Sequence, residues 1–292
     1  MAQGERSGAG VLSLVGTPIG NLGDLSGRVR DTLAAADVVL CEDTRVTGRL
    51  LSAMGLRRPL ERCDENVIAS RVPQVLERLG AGQRVAFASD AGMPAVSDPG
   101  RRLVDAALDA GLPVEVVPGP SAVTCAVAAS GLDCSHFFFE GFLPRKAGAR
   151  RERLGLLARV PGAVVLYESP HRVAATLAAV AEAMPERRVA LVRELTKLHE
   201  ECLRGTAAEL AAAVSGAEAQ GSPVRGECVI VVESPGASEL AGACEQGAPD
   251  PAALAQELVS GGAAPSAAAK EVARACGIPR GQAYDIVRSL KG

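Results

Sequence analysis

The sequence predicts an α/β fold with a parallel sheet, and three observations lead to that prediction. Short runs of small or branched apolar residues alternate with stretches of helical spacing along most of the chain. Each apolar run ends in a loop that is rich in glycine, proline or charge. The chain has 292 residues, of which 48% are hydrophobic and 22% charged, so it can bury the cores of two domains. Strands that alternate with helices in this way form parallel sheets.

The first predicted strand, Val11–Val15, is followed by a loop at residues 16–24 that contains three glycines and a proline. This loop has neither P-loop spacing nor a dinucleotide-binding fingerprint, which disfavours a kinase and a dehydrogenase. Ser26 is predicted to cap a helix that ends near Ala36. A second strand, Val38–Cys41, enters a charged run at residues 42–45, which is either an ion pair at a helix start or a cleft wall.

Two further strands of the first half also end in turn-forming loops, at residues 89–100 and 118–122. The first of these loops is either a ligand loop or an ordinary strand-to-helix connection in which Asp98 caps the following helix. Because the carboxyl ends of parallel strands point the same way, the three loops should form a pocket floor at one sheet edge. The elements predicted here are a helix over 67–79, a strand over 85–88, a helix over 101–110, a strand over 114–117 and a helix over 123–129.

The second half begins with an aromatic segment at residues 137–144, which holds four of the 5 phenylalanines. Most of it is expected to be core, whereas Phe142 and Leu143 follow a glycine and are expected to line the pocket. Charged runs follow the next two strands, at residues 167–172 and 193–201. The elements predicted here are strands at 164–166, 189–192 and 229–232 and a helix that ends near residue 184.

A basic run follows the aromatic segment. It places five cations within nine residues, with one acid among them, and the cations are Arg145, Lys146, Arg150, Arg151 and Arg153. A solvated helix face would explain such a run, but in a chain of net charge -3 we favour contacts with phosphates. With a pI near 5.8, any contact with nucleic acid must come from local patches of this kind.

The sequence shows no sign of a membrane or metal protein. No apolar run approaches the roughly 20 residues that span a bilayer, and residues 1–10 form a polar, flexible tail without a signal-peptide core, so we expect a cytoplasmic protein. The 8 cysteines contain no C-x-x-C pair and do not cluster with the 3 histidines, so we predict free thiols and no metal site.

The last part of the chain is predicted to be a small helical unit. Residues 234–251 are rich in Gly, Ala, Pro and acids and are predicted to be a linker. Helices over 267–276 and 279–290, with Gly277 at the break, are typical of a helix–turn–helix. The unit is only slightly basic, so docking or dimer contacts and nucleic-acid binding both remain open.

Six motifs, in order, resemble those of the ribosomal RNA small subunit methyltransferase I family, within the tetrapyrrole methylase superfamily. The resemblance covers Leu12 to Val232 and the terminal helix–turn–helix, and Met93 differs from the threonine expected at its position. The motifs are Thr17–Leu22 (TPIGNL), Glu42–Arg45 (EDTR), Ser89–Gly100 (SDAGMPAVSDPG), Pro118–Ala122 (PGPSA), Tyr167–Arg172 (YESPHR) and Arg193–Lys197 (RELTK).

This resemblance implies a class III methyltransferase fold, in which two α/β domains hold S-adenosylmethionine in the cleft between them. The chain would then divide into a tail at 1–10, α/β domains at 11–122 and 123–233, a linker at 234–251 and a helix–turn–helix domain at 252–292. It also implies a homodimer that methylates the ribose 2′-hydroxyl of a cytidine in the decoding centre of 16S ribosomal RNA. A tetrapyrrole C-methyltransferase and an RNA-binding assembly factor are the alternatives, and the basic run favours RNA.

We expect the loops at the sheet edge and the segment between the domains to form the cofactor pocket. The predicted cofactor-binding residues are Pro18, Asp90, Ala91, Gly92, Met93, Val96, Ser121, Ala122, Phe142, Leu143, Glu168 and Ser169. A base positioned at the ribose hydroxyl would accelerate transfer by about 10²–10⁴. Lys197, Glu194 and Glu42 are the candidates, with structural ion pairing as the alternative role of each.

Overall fold

The computed structural model describes residues 10–96, 98–236, 239, 250–276 and 278–290. The predicted tail before residue 10, most of the predicted linker, Ser97 of the third motif and Gly277 at the predicted helix break lie outside the described residues. No helix in the described part is long and apolar enough to cross a membrane.

The first sheet contains five strands, all of them parallel: β1 (Val11–Val15), β2 (Val38–Cys41), β3 (Leu60–Arg62), β4 (Arg84–Ala88) and β5 (Val114–Val117). Their order is β3-β2-β4-β1-β5. The alternation of the sequence thus predicted β1, β2, β4, β5 and their parallel pairing correctly. It did not predict β3, because this three-residue edge strand contains Glu61 and Arg62 and forms no apolar run.

Five helices accompany this half of the chain: α1 (Gly27–Ala35), α2 (Thr44–Ala53), α3 (Ile68–Gly80), α4 (Gly100–Asp109) and α5 (Ala122–Ser130). Ser26 caps α1 as predicted, since its hydroxyl accepts a hydrogen bond from Val29 N at 3.2 Å. The alternative in which Asp98 caps α4 does not hold, because Pro99 stands at the N-cap of α4. The Asp98 carboxylate instead accepts from Ala95 N at 2.9 Å and Gly100 N at 2.8 Å, which ties the loop to the helix start.

The second sheet is mixed and contains β6 (Phe137–Phe142), β7 (Ala163–Glu168), β8 (Arg188–Arg193), β9 (Glu201–Thr206) and β10 (Cys228–Val232). In the order β6-β7-β10-β8-β9, only β6 and β7 pair in parallel. The edge strand β9 was not predicted, since Glu201 and Arg204 interrupt its apolar pattern. The helices are α6 (Ala147–Leu157), α7 (Val173–Ala183) and α8 (Ala207–Ala219).

One hydrophobic cluster joins the two halves of the chain. Helix α5 packs on the second sheet, and its Ala126 belongs to one buried cluster with Val192 of β8 and Val231 of β10. Ile19, from the loop after β1, and Leu195, from the loop after β8, belong to the same cluster. The loops at the edge of the first sheet are therefore held against those of the second sheet by buried apolar contacts.

Three helices close the chain, at Pro251–Ser260, Pro265–Cys276 and Arg280–Ser289. The last two are the predicted helix pair. The first was not predicted, and it supplies Ala255 to a shared core with Ala268, Val272 and Val287. These helices therefore form a small core of their own.

Candidate active site

The three glycine- and proline-rich loops of the first sheet meet at its carboxyl edge. Thr17 and Gly92 exchange two backbone hydrogen bonds, at 3.0 and 3.1 Å, which clamp the loop after β1 to the loop after β4. A Cβ atom on Gly16 would lie 2.5 Å from Gly119 N, so the loop after β5 approaches closely enough to require glycine. The predicted convergence of these loops is what the parallel topology produces.

Met93 participates in this junction through its sulfur atom. The Sδ atom accepts a hydrogen bond from Gly119 N at 3.2 Å. Gly92 has a φ of +81° and Ala95 a φ of +68°, so the turn that presents Met93 adopts left-handed backbone on both sides of it. Met93 therefore supplies an acceptor within the junction, in place of the hydroxyl that threonine would bring.

A cavity of about 400 Å³ lies between the two halves of the chain. Nine of the predicted cofactor-binding residues line it: Ala91, Gly92, Met93, Val96, Ser121, Ala122, Phe142, Glu168 and Ser169. Eight lining residues were not predicted: Ile19, Tyr167, Pro170, Leu195, Gly226, Glu227, Cys228 and Val229. The YESPHR motif could have indicated Tyr167 and Pro170, but nothing in the local sequence distinguishes residues 226–229.

Three predicted cofactor-binding residues lie elsewhere. Successive side chains of extended backbone point to opposite sides, so Phe142 is 60% exposed towards the cavity while Leu143 is 2% exposed in the core of the second sheet. Pro18 and Asp90 line a second cavity, of about 430 Å³, on the other side of the clamped loops. None of the three lines the first cavity, and cofactor binding by them stays a prediction.

Glu168 is a buried carboxylate at the cavity wall, and its oxygens are already partnered. Thr176 Oγ1 donates to Oε2 at 2.6 Å, Ser169 N donates to Oε1 at 2.8 Å, and Arg172 Nη2 lies 3.2 Å from Oε2. Arg172 also donates to the carbonyl of Leu143 at 2.8 Å. Glu168 therefore fixes the loop after β7 and shapes the wall.

Lys197 lies between two carboxylates, one of which, Glu227, lines the cavity. Its Nζ atom is 2.8 Å from Glu194 Oε1 and 3.0 Å from Glu227 Oε2. Burial disfavours the ammonium charge, but these two hydrogen bonds outweigh it and raise the pKa of Lys197 above its ordinary value. The hydrogen bond from Lys197 likewise lowers the pKa of Glu194. The lysine is therefore held as a cation.

The backbone around Lys197 is strained and close to the first sheet. Glu194 and Thr196 have φ values of 53° and 66°, which side chains other than glycine rarely adopt. A Cβ atom on Gly20 would lie 2.6 Å from Lys197 Cγ, so the lysine stem crosses the loop after β1. Gly226 is required in the same way, since a Cβ there would overlap the Glu194 carboxylate. The loop after β8 thus reaches across the cleft.

Glu42, the third catalytic candidate, lies at the end of β2 and lines neither cavity. Burial, followed by the nearby charges of Asp98 and Asp90, raises its pKa. Next to it, Asp43 N donates to Asp90 Oδ1 at 3.1 Å, and the Arg45 guanidinium lowers the pKa of Asp43 to about 2. Glu42 therefore lies in a cluster of carboxylates with Asp90 and Asp98.

Residues 11–211 match the family of tetrapyrrole (corrin/porphyrin) methylases. The chain belongs to this family. Within it, a Mesorhizobium japonicum protein is 44% identical over 250 residues, 85% of this chain and 81% of its own length. A Micromonospora olivasterospora protein is 40% identical over 290 residues, 98% of this chain and 89% of its own. Both relatives carry the name ribosomal RNA small subunit methyltransferase I, and the chain is a member of that group.

Solved structures of other tetrapyrrole methylases share the fold. A cobalt precorrin-4 methyltransferase aligns with a TM-score of 0.57 at 20% identity, over 76% of this chain and 94% of its own. A uroporphyrin-III C-methyltransferase from Thermus thermophilus, complexed with S-adenyl homocysteine, aligns with a TM-score of 0.54 at 22% identity, over 77% of this chain and 97% of its own. The predicted two-domain methylase fold is confirmed.

The cofactor predicted for this methylase, S-adenosylmethionine, is confirmed by its family. The cavity also fits it, since pockets for small molecules are mostly apolar with a few polar groups that fix orientation. Apolar side chains such as Ile19, Val96 and Phe142 dominate the wall. The hydroxyl of Ser121 caps no amide at the start of α5, although it stands at the N-cap position. It is therefore available to a ligand.

The basic run of this methylase lies just before and along α6, and its five cations differ in their environment. Arg145 and Lys146 are exposed, and neither forms an ion pair with the residues that the structure describes. Arg150 is half-buried and its Nε has no partner there, and Arg151 lies 3.8 Å from Glu182. Arg153 is bound by Glu140 through two hydrogen bonds of 2.6 Å. Arg153 is thus already paired, unlike the first three.

No group of three or more possible metal ligands occurs in the described ranges. Cys41, Cys63 and Cys228 are buried thiols, and burial raises the pKa of Cys63 and of Cys228 to about 11. Thiols with such pKa values are poor nucleophiles at neutral pH.

Proposed function

We propose that this methylase transfers a methyl group from S-adenosylmethionine to the ribose 2′-hydroxyl of a cytidine in the 16S ribosomal RNA of the small subunit. One structural observation carries the proposal. Phe142 lines the cofactor cavity, and the unpaired cations Arg145 and Lys146 follow it after two intervening residues of the chain. An RNA backbone bound by these cations would run past the cavity mouth. The relatives named ribosomal RNA small subunit methyltransferase I support the same substrate.

The cavity residues would hold the cofactor by shape and by a few polar groups. Gly92 and Met93 supply a close backbone approach, and Phe142 and Tyr167 supply apolar surface. The N-terminus of α5, with the uncapped hydroxyl of Ser121, would receive the carboxylate of the cofactor.

S-adenosylmethionine supplies a methyl group on a sulfonium, which is electrophilic without further activation. The protein then has to hold the ribose hydroxyl in line and exclude water, and such positioning contributes up to roughly 7–11 kcal/mol. Leu195 and Ile19 close the cleft between the two halves of the chain with buried apolar contacts. Positioning of this kind is consistent with a wall that is mostly apolar.

Among the catalytic candidates, we assign Lys197 a positioning role. Its raised pKa keeps the ammonium protonated, so it donates hydrogen bonds and does not accept the hydroxyl proton. Glu194 is bound by Lys197 and by Glu227 N at 3.2 Å, and Glu42 lies outside the cavity. Glu227 lines the cavity and its side chain is 72% exposed, so its free carboxylate oxygen is the proposed proton acceptor.

Two alternatives make different predictions. A tetrapyrrole C-methyltransferase would use the same cavity and have no need of the cations on α6. An RNA-binding assembly factor would bind RNA without turnover. We place the RNA methyltransferase first because the unpaired cations come within four residues of Phe142, which lines the cavity, and because the relatives at 40–44% identity carry a ribosomal RNA name.

The test is incubation with labelled S-adenosylmethionine and three substrates: 30S subunits that lack the modification, naked 16S RNA and a tetrapyrrole precursor. We expect label on the ribose of one cytidine, located by nuclease mapping. Label on the tetrapyrrole alone would overturn the proposal. RNA binding without label on any substrate would support the assembly factor. Comparison of the two RNA substrates also shows whether the assembled subunit is required.

A further inference from the structure

The second cavity lies back to back with the cofactor cavity. Along the loop after β1, Pro18 and Gly20 face the second cavity while Ile19 faces the first. Along the loop after β4, Asp90 faces the second cavity and Gly92 the first. The hydrogen-bonded pair Thr17–Gly92 therefore forms a wall one loop thick between the two cavities.

The far wall of the second cavity is one face of α2. Val46, Leu50 and Ala53 line it, at the spacing of one helix face. Leu22, in the 3-10 turn at Leu22–Asp24, also lines the cavity and is 56% exposed. The lining thus includes aliphatic side chains from two separate elements, which a nucleobase can contact.

Two polar groups at this cavity have unused capacity. Arg49 lines it and is exposed, and its guanidinium has no hydrogen bond or ion pair with the described residues. Asp90 accepts from Asp43 N through Oδ1, and its Oδ2 accepts nothing within the described part of the chain. A cation for a phosphate, apolar walls for a base and a carboxylate oxygen for an exocyclic amino group are thus present together.

We infer that the second cavity binds a single nucleotide of the RNA substrate, one that flanks the methylated residue and carries an exocyclic amino group on its base. The flanking position follows from the loop wall, which separates this cavity from the cofactor cavity. Arg49 binds the phosphate and Asp90 the amino group. The inference rests on the proposed function, because it takes RNA as the substrate.

The test compares Arg49→Gln with Arg45→Gln. Both variants remove one charge from α2, one helical turn apart, but Arg45 is paired with Asp43 and does not line the cavity. The probe is a fluorescein-labelled cytidine hexamer, whose binding is followed by anisotropy over a salt series. We expect Arg49→Gln to lower affinity about tenfold and to reduce the salt slope by about 0.7, and Arg45→Gln to do neither. Equal losses in the two variants would overturn the inference.

Asp90→Asn tests the base contact separately. Asparagine keeps one oxygen that can accept from Asp43 N but replaces the second carboxylate oxygen with an NH2 group, which donates hydrogen bonds and cannot accept one from a base. The wild-type protein should bind the cytidine hexamer about tenfold more tightly than a uridine hexamer, whose bases have no amino group. Asp90→Asn should lose this preference. No preference in the unchanged protein would overturn the assignment of Asp90.

These binding measurements do not require turnover. If Arg49 and Asp90 behave as expected while no substrate is methylated, the subsite stands and the proposed activity fails. If RNA is methylated while Arg49→Gln binds the hexamer like Arg45→Gln, the activity stands and the subsite fails.

Discussion

Gly92 lines the cofactor cavity and has a backbone conformation that favours glycine. A Cβ atom there would lie 3.1 Å from Ile19 Cγ2, on a backbone with a φ of +81°. We predict that Gly92→Val weakens the binding of S-adenosylmethionine at least tenfold, measured by calorimetry. Gly111→Val is the control, since Gly111 has a φ of +69° and open space around its Cβ position. It should incur similar backbone strain of about 1–2 kcal/mol and leave affinity unchanged.

Lys197 is the residue whose role distinguishes two mechanisms. If it acts as a positioning cation, Lys197→Arg should keep kcat within about tenfold, whereas Lys197→Met should lower it by about 10². If it were the base, both variants would lose activity alike and the rate would rise through an alkaline pKa. We expect no such alkaline rise, because the raised pKa of Lys197 keeps it a cation.

The same ion pair should contribute to stability in a defined pH window. The pKa of Lys197 is raised, so its contribution is present below its unfolded pKa of about 10.4 and is lost as pH rises through the folded value. The pKa of Glu194 is lowered, so its contribution is present above about 4.3 and is lost as pH falls through the folded value. Urea unfolding should therefore show Lys197→Met less stable by up to about 1 kcal/mol near pH 7, with a smaller difference at pH 3 and pH 11.5.

At the scale of elements, the N-caps of α8 and α5 are expected to have different roles, the first in stability and the second in ligand binding. Thr206 and Glu209 form a capping box at α8, in which Thr206 Oγ1 accepts from Glu209 N at 3.2 Å. Ser121 stands at the N-cap of α5 without such a bond. We predict that Thr206→Ala lowers the free energy of unfolding by about 1 kcal/mol and spares cofactor affinity. Ser121→Ala should lower the affinity for S-adenosylmethionine and leave the free energy of unfolding unchanged. A loss of stability without a change in this affinity would refute the proposed ligand role of Ser121.

At the scale of the whole molecule, the surface charge decides between RNA and pigment substrates. We predict that replacing Arg145, Lys146 and Arg150 with Gln reduces the salt slope of RNA binding by about 2, at about 0.7 per phosphate contact, and spares cofactor affinity. Arg153→Gln is the control, because Arg153 is bound by Glu140. It should cost up to about 1 kcal/mol of stability and leave the slope unchanged. Equal salt slopes for the triple variant, the control variant and the wild-type protein would contradict RNA contacts by the basic run.

The local sequence determined a large part of this architecture. Apolar runs and helical spacing predicted β1, β2, β4 and β5, and the glycine- and proline-rich loops after three of them predicted a site at one sheet edge. These features depend on backbone sterics and on side-chain periodicity, which act between near neighbours. The six motifs added the family and its cofactor, which the comparisons support.

Only the tertiary structure decided which distant segments complete the site. Residues 226–229 reach the cavity because β10 pairs antiparallel with both β7 and β8, and no local pattern specifies that order. Glu227 meets Lys197 across 30 positions of sequence for the same reason. The alternation of side chains along the strand placed Phe142 at the cavity and Leu143 in the core. The hydrogen bonds between Thr17 and Gly92 fixed a loop in which Gly92 lines the first cavity and Asp90 the second. Strand pairing and side-chain direction depend on contacts between remote residues, which periodicity cannot encode.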